Sequence, residues 1–209
     1  MAKAAKEKHP VVVTAVGILS FPWITKPDVG RTYSDGKFKT DLFIRKEDFM
    51  KDLTLYNTTL SVGRKHFGQP KWGIKDFANP IKDVELMPQA DRDKLPELLR
   101  SGFIRIRAKS QFAPTVYGPV ISKGNAELSA EEAAAIKGGD FARLVVAVYP
   151  YDQKEGGVTF GLNALQYWRK GESLGQGKGA ALGLLSDFEV TMDDIPAEDD
   201  AEDKEVSFG

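Results

Sequence analysis

The chain's 209 residues are enough for one domain, or one domain with an extension, and for a core that needs no covalent staples. Cysteine is absent, which excludes disulfides and thiolate metal sites, and the two histidines, His9 and His66, are too far apart in sequence to suggest a zinc cluster or histidine-based catalysis. The net charge of −1 hides a division: residues 187–209 hold ten acidic residues against one lysine, for −9, while the rest holds 28 Lys and Arg against 20 Asp and Glu, for +8. A basic body carrying an acidic tail suits a protein that binds a polyanion and brings its own competitor. No apolar run approaches the roughly 20 residues that span a bilayer. The lysine-rich start runs into a short alternating segment broken by Gly17 and Pro22, so it reads as a strand rather than a secretory signal, and the expected compartment is the cytoplasm.

Residues 11–19 are rich in β-branched side chains and predict a strand that stops at Ser20-Phe21-Pro22. A turn-rich stretch over 27–36 leads into alternation, with Lys37, Lys39, Asp41, Phe43 and Arg45 on one face and Phe38, Thr40, Leu42 and Ile44 on the other. Phe49, Leu53, Tyr56 and Leu60 recur at helical spacing and predict one helix flanking a sheet. Residues 63–80 read as a basic, aromatic loop with Lys65, Phe67, Lys71, Trp72, Lys75 and Phe77, followed by a short helix near 91–100. A second alternating strand, 103–109, sets Phe103, Arg105, Arg107 and Lys109 against Ile104, Ile106 and Ala108. Ser129 and Glu132 are spaced as a capping box for a helix over 129–136. Strands over 141–149 and 158–168 form a hairpin through 152–157. Five glycines between 171 and 183 predict a flexible hinge into the tail. Short strands with one or two helices favour a small antiparallel barrel or sandwich.

Three cations and a ring at period two, on Phe103, Arg105, Arg107 and Lys109, make a surface that tracks phosphates and offers a base a stacking partner. A merely solvated sheet face usually mixes signs to keep like charges apart. Lys37, Lys39, Phe43 and Arg45 form a second copy, interrupted by Asp41. Trp72, between Lys71 and Gly73, is either a base-stacking ring or an anchor of its loop to the core. Tyr149-Pro150-Tyr151 ends a strand, where the rings cannot all face inward; Trp23 beside Pro22 is similar, and Trp168 reads as core. The glycine-rich stretch fails as a phosphate-binding loop, because Lys178 is followed by Gly179 and no glycine lies five positions before Gly177. Asp76, Asp83 and Glu85 form no metal-nuclease pattern, so neither catalysis nor a metal or cofactor is expected. Phe208, after Asp199, Asp200, Glu202 and Asp203, fits a docking hook for a pocket with a basic rim.

Ile24-Thr25-Lys26-Pro27-Asp28-Val29-Gly30, Phe38-Lys39-Thr40-Asp41-Leu42, Tyr149-Pro150-Tyr151 and Gly161-Leu162-Asn163-Ala164-Leu165-Gln166 occur in that order, ahead of the acidic tail with its phenylalanine. From Ala15 onward the chain resembles the single-stranded DNA-binding proteins of tailed phages, in particular the gene 2.5-type proteins of short-tailed phages. The resemblance implies a mainly β OB-fold, a five-stranded antiparallel Greek-key barrel with one or two short helices, over residues 1–186, and a disordered acidic C-terminal tail over 187–209. It implies sequence-independent binding of single-stranded DNA in phage DNA replication, recombination and repair, in the cytoplasm of the infected bacterium. It also implies recruitment of DNA polymerase or helicase-primase by the tail, with a homodimer as one assembly. Tyr151 falls where the family stacks a tyrosine on DNA, Lys37 where it carries a basic contact, and Phe208 where it carries the tail aromatic. Gly209 after that phenylalanine is a departure, and 63–80 aligns poorly. The expected DNA-binding set is therefore Trp23, Lys37, Lys39, Phe43, Arg45, Lys65, Trp72, Phe103, Arg105, Arg107, Lys109, Tyr149 and Tyr151. The expected partner-binding tail is Asp199, Asp200, Glu202, Asp203 and Phe208. A DNA-annealing recombination protein, a nuclease and a protein-interaction module that ignores oligonucleotides are the alternatives.

Overall fold

In the computed structural model, which describes residues 8–29, 34–68, 79–119, 125–153 and 156–174, the apolar halves of the alternating segments face one another inside a barrel. Its strands are β1 (Val11–Val13), β2 (Gly17–Trp23), β3 (Phe38–Arg45), β4 (Ile81–Asp83), β5 (Phe103–Ser110), β6 (Thr115–Tyr117), β7 (Phe141–Tyr151) and β8 (Gly157–Arg169). Their order is β1-β7-β2-β3-β5-β8-β6, and an added β7–β8 pairing closes β2, β3, β5, β8 and β7 into a five-stranded barrel, the OB arrangement. The barrel pairs are antiparallel except β5–β8, where Ala108 meets Phe160 and Lys109 meets Gly161 in parallel. A parallel neighbour requires a long crossover, which here passes through β6 and β7.

Leu19, Leu42, Ile44, Ile106, Leu144, Val146, Phe160, Leu162 and Leu165 fill the interior. A second cluster lies outside the barrel, where Ile18, Phe43, Phe103 and Phe141 are covered by Val84, Met87, Leu95 and Leu99. Those covering residues come from 3-10 turns at Val84–Leu86 and Glu97–Leu99 and from the segment between them. Lys46 fastens this insertion by pairing with Asp83 and Glu85, at 2.9 and 2.5 Å.

Several expectations shift in detail. The first strand divides into β1, which pairs with β7, and β2, which continues past Phe21 and Pro22 through a bulge. The single expected helix becomes α1 (Lys46–Lys51) and α2 (Thr54–Phe67), because the Asp52 carboxylate accepts the Thr54 N–H and restarts the helix. Lys65 and Phe67 thus belong to α2 rather than to a loop. The helix expected over 91–100 shrinks to α3 (Gln89–Arg92), with Pro96 opening the following turn. The capping box stands as read: α4 (Ala130–Ala134) follows Ser129, whose Oγ accepts the Glu132 N–H while the Glu132 carboxylate accepts the Ser129 N–H. The chain is still held at Gly171, whose N–H donates to Asp140 Oδ1 and whose backbone presses against Gly139, where a Cβ would lie 1.9 Å from the Gly139 oxygen. Residues 175–183 of the predicted hinge and the whole acidic tail lie outside the described residues.

Candidate nucleic-acid interface

Beyond the edge of the second cluster, the outer face of β5 opens into a groove of about 560 Å³. The insertion covers the Phe103 end of β5 and leaves the Arg107 end open. Cations arrive there from two strands and a turn: Arg105, Arg107 and Lys109 from β5, Lys82 from β4, where it faces Arg105 in register, and Lys37 from the turn before β3. Tyr149 and Tyr151, at the end of β7, line the opposite side, with Thr159 of β8 between the two walls.

The rings are positioned by small local devices. Gly161 lies under Tyr149: an added Cβ would stand 3.0 Å from the ring, so the absence of a side chain lets the tyrosine lie against the sheet. His9 leans on the same ring with centroids 5.5 Å apart. Past Tyr151, Asp152 Oδ1 lies 2.8 Å from His66 Nε2, which ties the β7–β8 hairpin to the end of α2.

Electrostatics divides the cations into two kinds. Lys39 is already neutralised, with Asp28 at 2.7 Å and Asp35 at 3.2 Å. Partial burial pulls its ammonium down, and the two carboxylates more than reverse this, so Lys39 stays charged above the ordinary lysine range. Lys109 is the opposite case. Burial, then the field of Lys37, hold it below the ordinary lysine value, with smaller help from Lys39 and Arg107 and against the pull of Asp35 at 3.9 Å. Asp41 lies beneath Arg105 and Arg107; burial pushes its carboxyl up, and Arg107 opposes the rise.

The groove thus brings together Lys37, Arg105, Arg107, Lys109, Tyr149 and Tyr151 of the expected set. Phe43 and Phe103 are corrections: they are 0% and 5% exposed and belong to the second core, so neither ring is presented at the groove surface. Lys39 faces Trp23 across β2 and β3, one row from the groove, and Trp23 is half-buried there. Arg45 sits at the far end of β3 opposite Phe103, outside the groove. Lys65 is exposed on α2. Trp72, Asp199, Asp200, Glu202, Asp203 and Phe208 lie outside the described residues. Sequence reading missed Lys82, which sits in a strand of three residues with no period to reveal it, and Gly161, whose role depends on a neighbour in space.

The family model of the Enterobacter phage Enc34 ssDNA-binding protein matches residues 10–202. Among solved structures, the chain is similar to the single-stranded DNA-binding protein of bacteriophage Enc34 in complex with ssDNA, with a TM-score of 0.62 and 20% identity, over 79% of this chain and 89% of that one. It is similar also to gp2.5, the single-stranded DNA-binding protein encoded by bacteriophage T7, with a TM-score of 0.52 and 15% identity, over 83% of this chain and 97% of that one. No curated protein matches. The likeness to both structures lies in the fold, and it bears out the resemblance to tailed-phage proteins read from the sequence. With the match running through the barrel and into the extension, the chain belongs to the family of the Enterobacter phage Enc34 ssDNA-binding protein.

Proposed function

We propose that the protein binds single-stranded DNA without sequence preference and organises it during phage DNA replication, recombination and repair. The observation that carries this reading is the single groove that joins five cations to Tyr149 and Tyr151. Lys37, Lys82, Arg105, Arg107 and Lys109 hold phosphates, and the tyrosines stack on bases, which tolerates every base because each has a π-face. No covalent step takes part. Family membership, and the binding of ssDNA by the Enc34 protein of similar fold, support the same ligand. Residues 1–186 form the binding domain in this reading. The acidic segment 187–209 competes for the groove and, once DNA displaces it, offers Phe208 to replication proteins such as a polymerase or helicase-primase.

Fluorescence titration of oligodeoxythymidine and of a duplex of equal length, across salt, tests the binding. The single strand is expected to bind more tightly, with log K falling linearly in log salt by about 0.7 for each phosphate neutralised. Equal affinity for the duplex, or no salt dependence, would defeat the proposal.

A further inference from the structure

Asp41 interrupts an otherwise cationic face, and its geometry gives it a purpose. In the β3–β5 register it stands directly across from Arg107 and diagonal to Arg105, which faces Phe43. Its side chain is 7% exposed, yet both of its oxygens are engaged. Oδ1 accepts the Arg107 Nε–H at 2.7 Å; Oδ2 accepts Arg107 Nη2 at 2.9 Å and Arg105 Nε at 3.0 Å, with Arg105 Nη2 at 2.8 Å.

Three points separate this cluster from an ordinary ion pair. A buried ion pair is often no more stable than apolar residues of the same volume, so stability alone does not explain a carboxylate here. The bonding is lopsided. Each guanidinium has five N–H donors and commits its Nε side to Asp41, which leaves the Nη1 groups of both arginines for a ligand in the groove they line. Charge also matches: two arginines and one carboxylate sum to +1, the complement of one phosphodiester. Lys39 shows the contrast, since its ammonium is covered by Asp28 and Asp35, whereas Arg107 remains 59% exposed after binding Asp41 and Arg105, 13% exposed, is the more buried half of the pair that lines the groove.

We infer that Asp41 is a positioning residue that clamps Arg105 and Arg107 into a fixed, two-guanidinium seat for one phosphodiester of the bound strand. Without it the two arginines, two residues apart on one strand face, repel each other and lose their common orientation. The inference rests on the single-strand-binding reading above.

Asp41→Asn makes the test sharp, because bulk electrostatics and positioning predict opposite results. Removing a negative charge from a cationic groove should by itself tighten DNA binding and steepen the salt dependence. The clamp predicts roughly tenfold weaker binding of oligodeoxythymidine at an unchanged salt slope, through lost orientation. Asp48→Asn, on α1 away from the groove, should show no such loss. The Nε–H signals of Arg105 and Arg107 in ¹⁵N spectra of the free protein should be protected from exchange in the wild type and lose that protection in Asp41→Asn. Equal or tighter binding by Asp41→Asn, beside normal wild-type binding, overturns the clamp alone. A wild-type protein that binds no strand defeats the parent reading and the seat with it. Should Asp41→Asn fail to fold, Arg105→Lys keeps the charge but not the fork. It is expected to bind roughly fivefold more weakly at the same salt slope, and wild-type affinity would refute the seat.

Discussion

Lys109 bears the strain of gathering so many cations on one face. Its ammonium sits in a partly buried position among Lys37, Lys39 and Arg107, and its pKa falls below the ordinary 10.5. A lysine whose folded pKa lies below its unfolded value is penalised while charged. That penalty is fully present at neutral pH and disappears as pH climbs through the folded pKa toward 10.5. A phosphate reverses the balance by favouring the charged form, so binding takes up a proton once Lys109 begins to titrate. Lys109→Gln is therefore expected to melt no lower than the wild type at pH 7, while binding DNA more weakly and losing about 0.7 from the salt slope. The wild type should also lose affinity as pH rises toward 10.5, more steeply than the variant. Calorimetry and titration over pH check both parts; a clearly less stable Lys109→Gln, or one that binds like the wild type, contradicts them.

Strand β5 serves two masters along one face, since its Phe103 end is core and its Arg107 end is groove. The segment from β4 to the turn at Glu97–Leu99 decides where one stops and the other begins. Phe103→Ala is accordingly expected to cost about 3–5 kcal/mol of stability, as for a large ring lost from a core. DNA affinity measured where the variant remains folded should stay within about twofold of wild type, because the lost ring stacks on no base. Urea unfolding and titration separate the two; a stable variant with impaired binding would restore Phe103 to the interface. The sequence carried the alternation of β3 and β5, the β7–β8 hairpin and the Ser129 capping box, because each is a local rule written in neighbouring residues. It did not carry the burial of Phe43 and Phe103. On their own strands these rings are indistinguishable from an exposed aromatic row, and of the residues that cover them Val84 and Leu99 lie on 3-10 turns while Met87 and Leu95 lie in the irregular segment between, punctuated by Pro88 and Pro96, with no period to announce an apolar face. Asp41 was visible only as an interruption, since its meaning depends on the β3–β5 register.

At the scale of the whole molecule, the charge division underlies the proposed competition for the groove. The chain outside 187–209 carries a formal +8 and that segment −9, so in the absence of DNA the most concentrated anion available to the groove is covalently attached. Tethering keeps its effective concentration high and independent of dilution. On the proposal that this segment competes for the groove, single-stranded DNA has to displace it, and the competition weakens with salt because both contacts are screened with a Debye length near 10 Å at 0.1 M. Removing residues 187–209 is therefore expected to tighten DNA binding most at low salt, with the advantage over the full chain shrinking as salt rises. Adding the segment back as a separate peptide should restore little at equal concentration, because only the tethered form has the local excess. Parallel salt titrations of the two chains read this directly, and a truncated chain that binds DNA no more tightly than the full one at low salt would show that the segment and the strand do not compete.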